Sequence, residues 1–228
     1  MAFPFTHLCV AYQILKNHPM TEAEEAQFLL GSIAPDAIHY RKAFLDAEMK
    51  HIGAAKKITH LCPTSDEPWG QVTDNDGWIK CVKDFLKTNP NHPFAAGYTA
   101  HVLTDIQNNR TLWDNFRTNH PTEAAKGYTS GYYDDLRHLD MLMYKSLSES
   151  QKIIPLLTKA IPEEMPNLVT KEEVSAIQSN IIHEHFKNTA YIDKDYQYNF
   201  ITLDDMLNFI KEATNFCTEM LTQKPIQF

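Results

Sequence analysis

Glycine is scarce in this chain of 228 residues: only 7 are present, too few for the tight turns of an all-β protein. No stretch approaches the roughly 18 uncharged apolar residues of a membrane span. The start, Met1-Ala2-Phe3-Pro4-Phe5, lacks the basic region and long apolar core of a secretory signal, so a cytoplasmic location is expected. The cysteines Cys9, Cys62, Cys81 and Cys217 form no CxxC pair and are expected to be reduced, mostly buried thiols. Positive charge is also short. Lys and Arg number 21 against 29 Asp and Glu, a formal net charge of −8, so no basic field exists to attract a nucleic-acid polymer or an anionic membrane. A phosphate-bearing ligand remains compatible, because a bound metal reverses the charge locally. There is no P-loop, GxGxxG, GxSxG or adjacent His-Asp dyad.

What is present is helical patterning in a chain 43% hydrophobic and 22% charged. A helix is expected from Thr6, as N-cap, to Asn17, with Leu8, Ala11, Tyr12 and Leu15 on one face. Thr21 and Glu24 form a capping box for a second helix, ended by Gly31. The run Gly31-Ser32-Ile33-Ala34-Pro35-Asp36 is a tight connector in which Pro35 biases Ala34 toward an extended conformation. A loop is expected over 64–73, then a helix capped by Asp74 or Asp76 and reaching Leu86. Further helices are expected from Pro93 to about Trp113 and from about Pro121 to Ser148, with Gly127 and Gly131 as possible breaks. Two more cover 170–190 and 202–223. Without repeats, low-complexity runs or a linker, residues 1–228 read as a single all-α domain.

Within it, His101 and Asp105 form an HxxxD spacing, which stacks the two side chains about 6 Å apart on one helix face. A neutral imidazole and a carboxylate so placed can share zinc or iron. Three other polar residues sit in apolar surroundings: His7 beside Leu8 and Val10, Asp36 beside Ala37 and Ile38, and His60 between Ile58 and Leu61. Such groups are tolerated inside a protein when paired or metal-bound.

The series Thr6-His7-Leu8, Leu30-Gly31-Ser32-Ile33-Ala34-Pro35-Asp36-Ala37, Thr59-His60-Leu61 and Gly97-Tyr98-Thr99-Ala100-His101-Val102-Leu103-Thr104-Asp105 resembles the zinc-dependent phospholipase C family. The closer likeness is to its short bacterial branch, related to phospholipase C and S1/P1-type nucleases. The resemblance covers about residues 5–145, with the helices of 150–228 expected to pack on that part. It implies an all-α fold of the phospholipase C/P1 nuclease type that holds zinc and hydrolyses phosphoesters. By position, Asp36, His60, His101 and Asp105 would hold one metal, and His7 would join Asp105 on a neighbouring one. The downstream stretch departs from the family, whose secreted members continue with a further His and an HxxxE pair. Asp135 and His138, at i and i+3, are candidates to replace those ligands; a solvated acidic face beside Arg137 is the alternative. One or two ions are therefore expected, zinc or else iron or another divalent metal.

The function implied is a phospholipase C-like phosphodiesterase, a metal-dependent hydrolase acting on a small phosphoester or a phospholipid head group. Asp36 would be a metal ligand and also a candidate to orient the attacking water. The alternative is a non-catalytic protein whose metal is structural or regulatory. His183 and His185 lie about 200° apart on a helix and cannot share a metal there. Glu48-Met49-Lys50-His51 is a lone ExxH, whereas a di-iron bundle needs two.

Overall fold

The computed structural model describes residues 2–41, 49–63, 67, 69–187, 192, 193 and 195–222. Among them all regular structure is helical, apart from one isolated bridge between Met165 and Val169. The order is α1 (Pro4–Asn17), α2 (Glu22–Gly31), a 3-10 helix (Ala34–Tyr40), α3 (Met49–Thr59), α4 (Asn75–Thr88), α5 (Pro93–Arg110), α6 (Leu112–Asn119) and α7 (Pro121–Ala124). A 3-10 turn (Gly127–Thr129), α8 (Gly131–Ser146), α9 (Ser150–Lys159), α10 (Lys171–Asn180) running into a π turn (Ile181–His185), and α11 (Leu203–Thr222) complete it. None of these helices is long and apolar enough to cross a membrane.

Helix α5 is the axis of the packing. Fifteen of its 18 residues are buried, so it shows no polar stripe and is walled in on every side. It packs against α1, α2, α4 and α11. The approach of α2 is close enough to need glycine on both helices: a Cβ on Gly97 would stand 1.9 Å from the Phe28 carbonyl oxygen, and one on Gly31 2.1 Å from that of Phe94. The two glycines thus let the end of α2 and the following 3-10 helix press onto the middle of α5. One buried apolar cluster runs from Ala2 to Leu221 and so takes in α9, α10 and α11 with the earlier helices. All four cysteines are free thiols, Cys9 and Cys217 being buried.

Several expected boundaries move, each for a physical reason. Helix α1 begins at Pro4, which suits the first turn because it lacks the N–H that would go unbonded there. Thr6 is consequently inside the helix and is not its cap. The capping group comes from far along the chain: Asp140 Oδ1 on α8 accepts the N–H groups of Phe5 (3.0 Å) and Thr6 (3.3 Å). Pro35 does not force an extended break; it occupies the first turn of the 3-10 helix. The helix expected over Pro121–Ser148 is three pieces, split where Gly127 takes φ +57°. The helix from Pro93 stops at Arg110, and after Thr111 (φ −121°, ψ −88°) the chain restarts as α6. Thr21 and Glu24 do form the capping box, and Asp74 caps α4 through the Gly77 N–H. Of the expected loop over 64–73, residues 64–66 and 68 lie outside the described residues, as does Glu48 of the ExxH and, with it, the side chain of His51.

Candidate metal centre

Four elements deliver five side chains to one buried spot. His7 comes from the second turn of α1, Asp36 from the 3-10 helix, His60 from the residue after α3, and His101 and Asp105 from successive turns of α5. His7, His60, His101 and Asp105 are at most 2% exposed, and the Asp36 side chain is 16% exposed. The carboxylates and imidazoles form two overlapping groups with metal-ligating geometry, His7, His101 and Asp105 in one and Asp36, His60 and His101 in the other.

The ring orientations are set by backbone carbonyls. His101 Nδ1 lies 2.8 Å from the Ser32 carbonyl oxygen, and His60 Nδ1 3.0 Å from that of Lys56. A carbonyl only accepts, so each Nδ1 carries its ring proton and each Nε2 presents a bare lone pair. His60 is fixed further by Trp78, whose indole N–H donates to the His60 carbonyl (2.7 Å), and by the Tyr98 hydroxyl, which donates to the Thr59 carbonyl. Leu61, at φ +53°, turns the chain away immediately afterwards.

The result is a cluster of acceptors, with the Lys56 ammonium at its Asp36 edge (Nζ 3.6 Å from Oδ1). His60 Nε2 and His101 Nε2 face each other at 3.3 Å. Asp36 Oδ1 stands 3.5 Å from His60 Nε2, and Asp105 Oδ2 stands 3.6 Å from His60 Nε2 and 3.7 Å from His101 Nε2. Neither carboxylate oxygen has a hydrogen-bond partner. Facing lone pairs in a buried place are unfavourable unless a cation lies among them. Donors about 2.0–2.1 Å from a zinc-sized ion at tetrahedral corners are about 3.3–3.4 Å apart, close to these separations. Asp36, His60 and His101 therefore bring three donor atoms within reach of one ion, and Asp105 Oδ2 stands beside both imidazoles.

A second, sparser group adjoins it. Asp105 turns its other oxygen to His7, with Oδ1 3.6 Å from His7 Nε2, and the same oxygen accepts the Ala2 N–H at 3.0 Å. The His7 ring lies flat on His101, centroids 3.7 Å apart, and neither of its nitrogens has a hydrogen-bond partner. With His101 these make up the group of His7, His101 and Asp105, all of them buried.

Electrostatics favour ligation. Burial lowers the His7 pKa, and burial with the neighbouring His7 brings His101 down to about 3, so both rings are neutral near pH 7. Burial by itself would raise Asp36, but the Lys56 ammonium, aided by the His39 ring, holds it well below the usual carboxylate range. Nothing in the sequence marks Lys56 beyond its place one turn before His60. Its side chain is 2% exposed, with Nζ 3.6 Å from Asp36 Oδ1. His39, also unsignalled, approaches the same oxygen at 3.6 Å.

Asp135 and His138 are not part of this cluster. Asp135 is buried and accepts the Tyr196 hydroxyl (2.7 Å) and the N–H groups of Asn199 (3.0 Å), Phe200 (2.7 Å) and Ile201 (3.2 Å). His138 pairs Nδ1 with the Tyr198 hydroxyl (2.8 Å) and Nε2 with the Asp193 carbonyl (2.9 Å). The solvated face expected as the alternative is not found either, since both side chains pin the 193–201 segment to α8. His183 is exposed, while His185 lies 3.5 Å from Asp140.

Two clefts reach the cluster. One of about 230 Å³ meets Asp105 between Trp69, Trp113, Tyr128 and Tyr133. The other, of about 260 Å³, meets Asp36 beside Lys56, His39 and Tyr128. No family model, no curated protein and no solved structure matches the chain, so the reading of this site rests on its own residues and their geometry.

Proposed function

We propose that this protein is a metal-dependent phosphoric ester hydrolase, similar in fold and site to the zinc-dependent phospholipase C family. Zinc is well suited to imidazole and carboxylate donors at these separations. His60, His101, Asp36 and Asp105 would hold it, and His7 with the second oxygen of Asp105 would hold another. Bound there, zinc supplies a water of lowered pKa and offsets charge on the phosphoryl oxygens.

The chain's own residues supply the rest. The Ser32 and Lys56 carbonyls keep the His101 and His60 lone pairs aimed inward. Asp36, the most open member of the set, lies at the floor of a cleft, where its carboxylate can orient a water and take its proton. The aromatic walls formed by Trp69, Trp113, Tyr128 and Tyr133 restrict bulk water beside Asp105 and suit a small phosphoester better than a polymer. The observation that carries the catalytic reading is the cleft that meets Asp36, the most exposed of the five side chains, by which water and substrate can reach the cluster. Hydrolysis of a panel of phosphodiesters, lost with chelator and in Asp105→Asn, is the expected result. Full activity in Asp105→Asn would exclude the reading.

One observation favours a second reading. His7, His60, His101 and Asp105 are at most 2% exposed, and a set closed to solvent is the mark of a structural zinc. A metal held only for stability predicts one ion per chain, a large fall in Tm on chelation and no turnover of any phosphoester.

A further inference from the structure

Lys56 and His60 are four residues apart, so the helix face that turns His60 into the cluster brings Lys56 there as well. The lysine stem is buried, and Nζ ends 3.6 Å from Asp36 Oδ1, the same atom that faces His60 Nε2 at 3.5 Å. From the opposite wall comes Tyr128, on the 3-10 turn opened by Gly127. Its hydroxyl accepts from Lys56 Nζ at 3.5 Å and keeps its own proton to donate. Lys56, Tyr128 and Asp36 all line the cleft of about 260 Å³. Two donors, one charged, are thus fixed beside the metal set and border space a ligand can enter.

We infer that Lys56 and Tyr128 form a subsite for a tetrahedral oxyanion, gripping phosphoryl oxygens while other oxygens face the metal. This rests on the phosphoester reading of the site. The ammonium gives a charge-assisted hydrogen bond, and the phenol gives direction, because its oxygen is already committed to Lys56 as acceptor. The pair positions the phosphorus over Asp36, so it decides which ligands the site takes and how they lie.

The test is calorimetric titration of inorganic phosphate into the zinc-loaded full chain, for wild type, Lys56→Met, Lys56→Arg and Tyr128→Phe, with zinc per chain measured on every sample. The expected result is at least a tenfold loss of phosphate affinity in Lys56→Met with zinc retained, partial recovery in Lys56→Arg, and about a threefold loss in Tyr128→Phe. Phenylphosphonate in a parallel titration separates sources: tighter binding than phosphate assigns the subsite to an ester, weaker binding to free phosphate. Unchanged phosphate affinity in a zinc-retaining Lys56→Met, or no phosphate binding by the zinc-loaded wild type, overturns the inference alone. Zinc loss in Lys56→Met also overturns it, making Lys56 a support for Asp36. If Lys56→Met does not fold, Tyr128→Phe decides, since that side chain is partly exposed and an affinity equal to wild type rejects the subsite. A wild type that takes up no zinc ends the phosphoester reading and this inference with it.

Discussion

Two regions of this molecule carry an aspartate and a histidine one turn apart on a helix, and they are opposites in hydrogen bonding. On α8, every polar atom named for Asp135 and His138 has a partner, chiefly the backbone of 193–201. On α5, His101 and Asp105 meet His60, Asp36 and His7 with lone pairs turned toward one another and carboxylate oxygens without a partner. The first arrangement is complete as it stands. The second leaves lone pairs that a cation among the donors would satisfy. One-turn spacing of Asp and His does not separate a latch from a ligand set; the satisfaction of the remaining lone pairs does.

The contrast predicts opposite responses to mutation. Asp135→Ala removes a buried carboxylate that holds the N–H groups of Asn199, Phe200 and the buried Ile201, and should cost about 4 kcal/mol by urea unfolding, with metal per folded chain unchanged. Asp105→Asn should do the reverse, abolishing metal binding while changing the stability of the metal-free protein by less than about 1 kcal/mol. A metal-deficient Asp135→Ala would break the distinction. Gly97→Ala should follow in size, at about 3 kcal/mol, because the new methyl must displace the Phe28 carbonyl and with it the seat of Asp36. Its sharper signature is loss of metal affinity in whatever fraction folds.

The metal-free protein should also lose stability on acidification. The folded pKa values of His7 and His101 lie below the ordinary 6.5, so the unfolded chain takes up protons first. Their contribution is present above about pH 6.5 and falls as the pH drops toward about 3, by up to about 1.4 kcal/mol per pH unit for each ring. Urea unfolding at pH 7 and pH 5 after chelation measures it, and equal stability at the two values would contradict neutral buried imidazoles. The smallest effect belongs to His183→Ala, an exposed position outside both regions, expected within about 0.5 kcal/mol of wild type and with full metal content.

Much of the helical order was legible because it is locally encoded, as in the Thr21–Glu24 box and the Asp74 cap. The start of α1 was not, because its cap is Asp140, more than 130 residues away in sequence. The breaks inside Pro121–Ser148 turn on the positive φ of Gly127, which sequence offers only as an option. At the site, His7, Asp36 and His60 stood out as polar groups in apolar context and His101 with Asp105 by their one-turn spacing, and the structure brings the five together. Asp135 and His138 were offered by one-turn spacing in a charged stretch, and their partners lie in the 193–201 segment, which carries no periodic signal. Lys56 and Tyr128 were invisible for another reason: a lysine one turn before a histidine and a tyrosine after a glycine are ordinary until the fold sets them against the same carboxylate.

The central claim is that the α5 cluster holds a metal and the α8 pair does not. Elemental analysis of protein purified without a metal-affinity tag tests it on wild type, His101→Ala and His138→Ala side by side. The account predicts one or two zinc ions per chain in wild type and in folded His138→Ala, and almost none in His101→Ala. A wild type that is metal-free and fails to take up zinc on titration, or a His101→Ala that keeps its metal while His138→Ala loses it, would contradict it.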